Sequence, residues 1–231
     1  MLIEKKVTTR QELYPILLED CEKILRLSIT KKNQASMLLS GGTSPGPFYE
    51  LLSKQDLPWS QVWFSLSDER WVAPDHHDSN ARLVRETLLQ NEAGKSQFIG
   101  LKSSLENIDE GVEETNRTLQ KMPKPFDIVL LGMGDDGHTA SLFPGAEGLD
   151  QALDLSCDEI CSPIYRGDGE TPRVTMTLKT LLNSREIKIL MFGQKKWDVY
   201  EAAKQKYDMT LPVSYILNQT DVPVTIYWAA E

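Results

Sequence analysis

The chain has little of what several common classes of protein require. Its 231 residues include three cysteines, Cys21, Cys157 and Cys161, an odd number without the spacing of a metal motif. We expect them to be reduced packing residues. The longest apolar runs fall short of the roughly 18 residues of a transmembrane helix, and the opening MLIEKKVTTRQELY lacks the apolar segment of a signal peptide. These absences predict a soluble, cytoplasmic protein with no membrane partner.

Positive charge is also scarce. The chain has 25 lysines and arginines against 34 aspartates and glutamates, which gives a net charge of −9. So acidic a protein is not expected to bind nucleic acid or anionic membranes non-specifically. If its ligand is an anion, a local group of basic residues must bind it.

Short apolar runs alternate with longer amphipathic stretches. This alternation predicts an α/β fold, a three-layer α/β/α sandwich around a mostly parallel, doubly wound sheet. Without an obvious linker, residues 1–231 are expected to form a single domain. The predicted strands are 36–40, 62–66, 126–132, 187–193 and 224–229, with a further strand late in 162–177. The predicted helices are about 10–28, 46–54, 80–91, 105–121, 178–183, 194–205 and 211–217.

The segment SGGTSPG (40–46) follows the first predicted strand, where ligands bind in open α/β sheets. Gly41 and Gly42 would let backbone N–H groups converge on an oxyanion, and Thr43 and Ser44 offer hydroxyl donors and a cap for the next helix. The segment predicts a phosphate site. A tight strand-to-helix turn without a ligand is the alternative. A Walker A loop is excluded because the required lysine is absent.

The segment GMGDDGH (132–138) matches the G-x-G-x-x-G pattern of dinucleotide-binding folds. Asp135 and Asp136 would place two negative charges beside a pyrophosphate, and Pro144 ends the following segment too early for a crossover helix. The pattern instead favours chemistry by His138, with Asp136 fixing the tautomer of its ring. A simple loop hydrogen bond is the alternative for this pair.

Three basic residues follow or begin predicted strands. Arg70, in SDERW, has a planar guanidinium suited to phosphate, while Arg173 begins a strand and Lys195 begins a helix. Each one alone would be an ordinary surface charge.

The DHHD segment (75–78) raises the question of a metal. Adjacent residues such as His76 and His77 point in different directions on regular structure, and the remaining histidine is His138. We therefore predict no metal site.

Together these segments resemble the 6-phosphogluconolactonase family over nearly the whole chain. The resemblance implies a doubly wound α/β sandwich and hydrolysis of 6-phosphogluconolactone in the oxidative pentose phosphate pathway, without a metal or organic cofactor. The matching segments are LSGGTSPGPFYELL, SDERWVAPDHHDSN, FDIVLLGMGDDGHTASLFPG, PRVTMTLKTLLN and FGQKKWDVYEA.

The resemblance also implies roles for individual residues. His138 is similar to the family's general base, and Asp136 to its neighbour. The GTSPG sequence differs from the commoner GSTP, which leaves open whether Thr43 or Ser44 donates its hydroxyl. The residues implied to bind the sugar phosphate are Gly41, Gly42, Thr43 or Ser44, Arg70, Arg173 and Lys195.

Glucosamine-6-phosphate deaminases share the implied fold and provide the main alternative. They read roughly GHIAFNEP where this chain reads GHTASLFP, so Phe143 stands where they have a glutamate, and DEY where this chain has DERW. Both differences favour the lactonase. A non-catalytic sugar-phosphate sensor and a dinucleotide-binding redox protein are further alternatives. The expected partner is a small sugar-phosphate lactone, and the expected oligomeric state is a monomer or weak homodimer.

Overall fold

The secondary structure follows the predicted alternation. A computed structural model describes residues 1–167 and 169–231. The strands are β1 (Leu2–Val7), β2 (Ala35–Leu39), β3 (Val62–Leu66), β4 (Asp68–Arg70), β5 (Gln97–Ile99), β6 (Ile128–Gly132), β7 (Cys161–Ile164), β8 (Arg173–Met176), β9 (Ile187–Phe192) and β10 (Val224–Ala229). The α-helices are α1 (Arg10–Lys32), α2 (Gly46–Leu52), α3 (Asn80–Thr87), α4 (Ile108–Leu119), α5 (Leu149–Leu153), α6 (Leu178–Leu182), α7 (Gln194–Ala203) and α8 (Ser214–Leu217).

The main sheet has the order β1-β10-β9-β6-β2-β3-β5, and its neighbouring strands are parallel. Strands β2 and β9 are buried along their whole length, as expected for strands covered on both faces. Helix α1 packs against β1, β2 and β10, and α7 packs against β9. The predicted α/β class, with helices flanking a mostly parallel sheet, is confirmed.

The order of the strands fixes where a ligand can bind. From β2 the chain proceeds to β3 and β5 on one side, whereas β6, β9 and β10 lie on the other side. The loops that leave β2 and β6 therefore diverge, and they open a crevice at the carboxyl ends of these two adjacent strands. Open α/β sheets bind their ligands at such a topological switch point.

A second, antiparallel sheet has the order β4-β8-β7. The sequence predicted β8 but treated β4 as a loop, because three charged or polar residues do not show a strand pattern. In this sheet Arg70 and Arg173 are directly paired neighbours. Side chains far apart in sequence thus meet at one place.

Strands β5 and β7 were not predicted, and neither was β1. It is an edge strand whose outer residues, including Leu2 and Ile3, are exposed, so it lacks the apolar run of the central strands. Its six residues pair in register with β10.

Helix α1 then begins with a capping box, in which Thr9 Oγ1 accepts from Glu12 N–H and Glu12 accepts from Thr9 N–H. It extends to Lys32, four residues beyond the predicted end.

The cysteines behave as packing residues. Cys21 and Cys161 are buried, Cys157 is partly buried, and all three are free thiols. Burial raises the pKa of Cys21 to about 12, so this thiol is not a reactive thiolate. In the described part of the chain, the helices are either too short or too polar to cross a membrane.

Strand β1 is tied to α7 by Glu4. Its carboxylate accepts a hydrogen bond of 2.6 Å from Tyr200 Oη and pairs with Lys6 and Lys204 at 2.8 and 3.3 Å. The contact with Lys6, followed by that with Tyr200, lowers the pKa of Glu4 to about 2. A carboxyl group with a lowered pKa stabilises the fold at pH values above its ordinary pKa of 4.5. This contribution is lost as the pH falls towards 2.

We expect Glu4→Gln to lower the free energy of unfolding at pH 7 by about 0.5–1 kcal/mol, as partly exposed ion pairs do. Urea unfolding of wild type and variant at pH 7 and at successively lower pH measures this. The difference should shrink as the pH falls below 4.5, because the unfolded wild-type chain then takes up a proton on Glu4, and it should vanish towards pH 2, where the folded wild type takes one up too. The exposed Glu19→Gln serves as control, and a difference independent of pH would contradict the assignment.

Candidate active site

A cavity of about 280 Å³ lies at the switch point between β2 and β6. The loops after these two strands form its opposite walls, and the β4-β8 ladder and the start of α7 complete it. It gathers most of the predicted site residues. Those in its lining are Gly41, Gly42, Thr43, Ser44, Arg70, His138 and Arg173.

The loop after β2 needs glycine at two positions for different reasons. Gly42 has φ of 83°, a left-handed conformation that side chains disfavour. A Cβ atom on Gly41 would lie 2.0 Å from Asn80 Oδ1. The loop backbone can therefore approach both its neighbours and a ligand closely.

Two tyrosines hold the ends of this loop. Buried Tyr49 donates its hydroxyl to Ser40 O at 2.7 Å, and Tyr14 donates to Ser44 O at 2.8 Å. Burial raises the pKa of both phenols, which stay neutral donors. The loop thus has a fixed shape.

The predicted capping role of Thr43 and Ser44 is wrong. Helix α2 starts at Gly46 with Pro45 as its N-cap, one residue later than a hydroxyl cap would require. Both Thr43 and Ser44 instead line the cavity.

Arg70 and Arg173 bring two positive charges to the same wall. Their Nε atoms are buried and have no hydrogen-bond partner among residues 1–167 and 169–231. Burial, followed by the charge of Arg70, lowers the pKa of Arg173. Because neighbouring guanidinium groups repel each other, a bound dianion would stabilise this arrangement.

Lys195, predicted to bind the anion, lies outside the cavity lining. Its Nζ pairs with Asp135 at 2.8 Å, and its side chain is 73% exposed. The next residue, Lys196, lines the cavity, and burial lowers the pKa of its ammonium group. Successive residues at the start of a helix differ by about 100° in direction, so a shift of one position decides which lysine faces inwards.

His138 and Asp136 form the predicted pair. His138 Nδ1 lies 2.5 Å from Asp136 Oδ1, and the same carboxylate oxygen accepts from His138 N–H at 3.2 Å. Burial alone would raise the pKa of Asp136, but its contacts with His138 outweigh this effect and lower it. The ionised carboxylate thus accepts a hydrogen bond from Nδ1–H. The lone pair of the imidazole ring is then on Nε2.

The turn that carries this pair depends on glycine. A Cβ atom on Gly134 would lie 2.1 Å from His138 Nδ1, and Gly137 has φ of 78°. On its other side the His138 ring stacks on Phe143, with centroids 4.2 Å apart. The imidazole is therefore held by a carboxylate and an aromatic ring.

Sequence reasoning missed Asp68 and Asn80 as well as Lys196. Asp68 lines the cavity and is buried, and its Oδ2 accepts from Ser141 Oγ at 2.6 Å. Asn80 is 2% exposed and also lines the cavity. Both lie within the SDERWVAPDHHDSN segment, whose buried polar residues have no periodic pattern to reveal them.

The expectation that His76 and His77 point in different directions was wrong. Their rings stack with centroids 4.2 Å apart rather than diverging, and with Asp78 they form a group whose potential ligand atoms lie within 4.8 Å of one another. This group lies outside the cavity lining, so its residues are not part of the candidate active site.

A family model described as "Glucosamine-6-phosphate isomerases/6-phosphogluconolactonase" matches residues 8–228, nearly the whole chain. The chain belongs to this family. Both branches of the family appear in its description, so the choice between them depends on the site and on individual relatives.

The similar family members include several that are named 6-phosphogluconolactonase. One from Pseudomonas aeruginosa is 40% identical over 205 residues, which cover 88% of this chain and 85% of that protein. One from Pseudomonas putida is 40% identical over 213 residues, covering 92% and 86%. The crystal structure of a 6-phosphogluconolactonase from Shewanella baltica OS155 superimposes with a TM-score of 0.95 at 35% identity, covering 100% of this chain and 98% of that one.

The two adjacent lysines provide a matched test of which ammonium group contributes to ligand binding in the cavity. We expect Lys196→Ala to weaken the binding of 6-phosphogluconate roughly tenfold, because it removes a partly buried cation from the cavity. Lys195→Ala should change the affinity less than about twofold, because this ammonium is exposed and paired with Asp135. Isothermal titration of both variants measures this, and the opposite order would contradict the placement of the lysines.

Proposed function

We propose that this protein hydrolyses 6-phospho-D-glucono-1,5-lactone to 6-phospho-D-gluconate, a step of the oxidative pentose phosphate pathway. One observation carries the proposal: a single cavity is lined by the glycine loop, by the cations Arg70, Arg173 and Lys196, and by His138, whose ring is paired with Asp136. An anion site beside a general base suits a phosphorylated substrate that reacts with water. The names of the similar family members support the same substrate.

In this proposal the phosphate binds to the glycine loop. The backbone N–H groups of residues 41–43 and the nearby hydroxyls donate to its oxygens, while Arg70 and Arg173 supply charge-assisted hydrogen bonds. Since the protein carries a net charge of −9, this local group of cations is what gives the cavity affinity for a dianion. Binding the phosphate places the lactone ring towards the turn of residues 134–138.

His138 then acts as the general base. With Nδ1–H donated to Asp136, Nε2 accepts a proton from a water molecule as the water oxygen attacks C1 of the lactone. The ionised Asp136 stabilises the imidazolium that forms, and its lowered pKa keeps it ionised at neutral pH. Placing water and substrate side by side lowers the entropic part of the barrier.

Collapse of the tetrahedral intermediate completes the reaction. The bond between C1 and the ring oxygen breaks, the carbonyl re-forms as a carboxylic acid, and the ring oxygen takes the proton that His138 had accepted. The acid then loses its own proton to solvent. Lactone and water are converted to the hydroxy acid, and the histidine returns to its neutral form.

A serine nucleophile is not part of this mechanism. Ser141 is fully buried and donates its hydroxyl to Asp68, and its surroundings do not match G-x-S-x-G. Phe143, stacked on His138, has no proton to transfer at the position where deaminases carry a glutamate. Both features favour direct attack by water over acyl-enzyme formation or amino-sugar deamination.

The test is a continuous assay with freshly generated 6-phosphogluconolactone, corrected for spontaneous hydrolysis. The wild-type protein should accelerate hydrolysis strongly, and His138→Ala should lower kcat by about 10²- to 10⁴-fold, the usual contribution of a positioned general base. Affinity for inorganic phosphate should change little, because His138 does not bind the phosphate.

His77→Ala is the matched control, because this histidine is 76% exposed and lies outside the cavity lining. It should retain wild-type turnover. A wild-type rate equal to the buffer rate would refute the proposed activity, and undiminished turnover by His138→Ala would remove His138 from the mechanism. Release of ammonia from glucosamine 6-phosphate would instead support the deaminase branch.

A further inference from the structure

A buried carboxylate stands behind the basic wall of the cavity. Glu69 is 1% exposed, and its Oε1 accepts from the backbone N–H groups of Arg70 at 2.8 Å and Asn80 at 2.7 Å. Its Oε2 accepts from Ala81 N–H at 2.7 Å and Ser79 Oγ at 3.0 Å. One side chain thus joins β4 to the first residues of α3.

The side chain of Asn80 extends this connection to the ligand site. Its Nδ2 donates to Asp68 O at 2.9 Å, and its Oδ1 accepts from Arg70 Nη1 at 2.8 Å. The donor must face the carbonyl and the acceptor must face the guanidinium, so the orientation of the amide is fixed. The same amide lies where a Cβ atom of Gly41 would be.

We propose that Asn80 is a positioning residue for the phosphate end of the site, and that Glu69 holds it in place. Asn80 fixes the guanidinium of Arg70 and packs against the glycine loop at Gly41, so that both are set before the substrate arrives. This inference rests on the proposed function, in which Arg70 and the loop bind the phosphate.

The physical reason is the mobility of an arginine side chain. Arg70 Nη1 donates to Asn80 Oδ1 and to Asp78 O at 2.9 Å, which orients the fork and leaves Nη2 for the anion. Fixing a long side chain in advance removes the entropy loss that binding would otherwise incur. Loss of Asn80 should therefore weaken binding of the phosphate rather than slow the attack on the lactone.

Asn80→Ala should raise KM for 6-phosphogluconolactone by roughly 10- to 100-fold, in line with the loss of a hydrogen bond to a charged group. Its kcat should fall only a few-fold. Hydrolysis of unphosphorylated gluconolactone should be affected much less than hydrolysis of the phosphorylated lactone, because that substrate has no phosphate for Arg70 to bind. A merely structural defect would affect both substrates alike.

Asn116→Ala is the matched control. Asn116 is also a buried asparagine with three side-chain hydrogen bonds, to the backbone of Ile160 and Cys161, but it lies outside the cavity lining. This variant should lose stability while keeping the wild-type ratio of activities on the two lactones.

A double-mutant cycle with Arg70→Ala tests the mechanism of the effect. Because Asn80 acts through Arg70, Asn80→Ala should add less than about threefold to the KM of Arg70→Ala. Fully multiplicative effects, or an unchanged KM in Asn80→Ala, would overturn the inference. Glu69→Gln should raise KM in the same direction, and if it does not fold the cycle alone decides.

Failure of the proposed function is distinguishable from failure of this inference. If the wild type does not hydrolyse the lactone, the activity is refuted, and titration with 6-phosphogluconate then compares wild type with Asn80→Ala directly. Affinity lowered roughly tenfold or more in the variant would uphold the positioning role, and equal affinity would overturn it.

Discussion

Two guanidinium groups are forced together by main-chain pairing: β4 and β8 place Arg70 and Arg173 directly opposite each other. The protein has a net charge of −9, so these two residues form a locally positive region in a negatively charged protein. The repulsion between the two cations favours a dianion beside them. Lys196, from α7, is a further cation in the lining of the same cavity. The chemistry proposed for His138 depends on this wall, because the wall determines which end of a substrate binds there.

The parallel sheet brings the base to the same place by a different route. Strands β2 and β6 are neighbours, but the chain leaves them in opposite directions, so the glycine loop and the turn of residues 134–138 form the two walls of one crevice. Buried tyrosines fix the loop, and Asp136 with Phe143 fixes the ring of His138. Both halves of the site are therefore held by side-chain contacts before a ligand binds.

The sequence was sufficient for the central strands, because buried strands are apolar. It also named seven residues that line the same cavity, because they follow or begin these strands. It was insufficient for β1 and β4, where an exposed edge and three polar residues give no strand pattern. The sequence also pointed to Lys195, whereas Lys196 lines the cavity. The direction of a side chain at the start of a helix depends on the residue at which the helix begins, and the sequence does not fix that residue. Asn80 was missed because its importance comes from tertiary contacts with Arg70 and Gly41.

The most direct measurement is a crystal structure of the protein with 6-phosphogluconate bound. The account predicts the phosphate against the backbone of residues 41–43 and the guanidinium groups of Arg70 and Arg173, with an oxygen of the C1 carboxylate close to His138 Nε2. A ligand bound in the reverse direction, with its carboxylate on the glycine loop, would contradict the account. So would a phosphate held elsewhere on the protein.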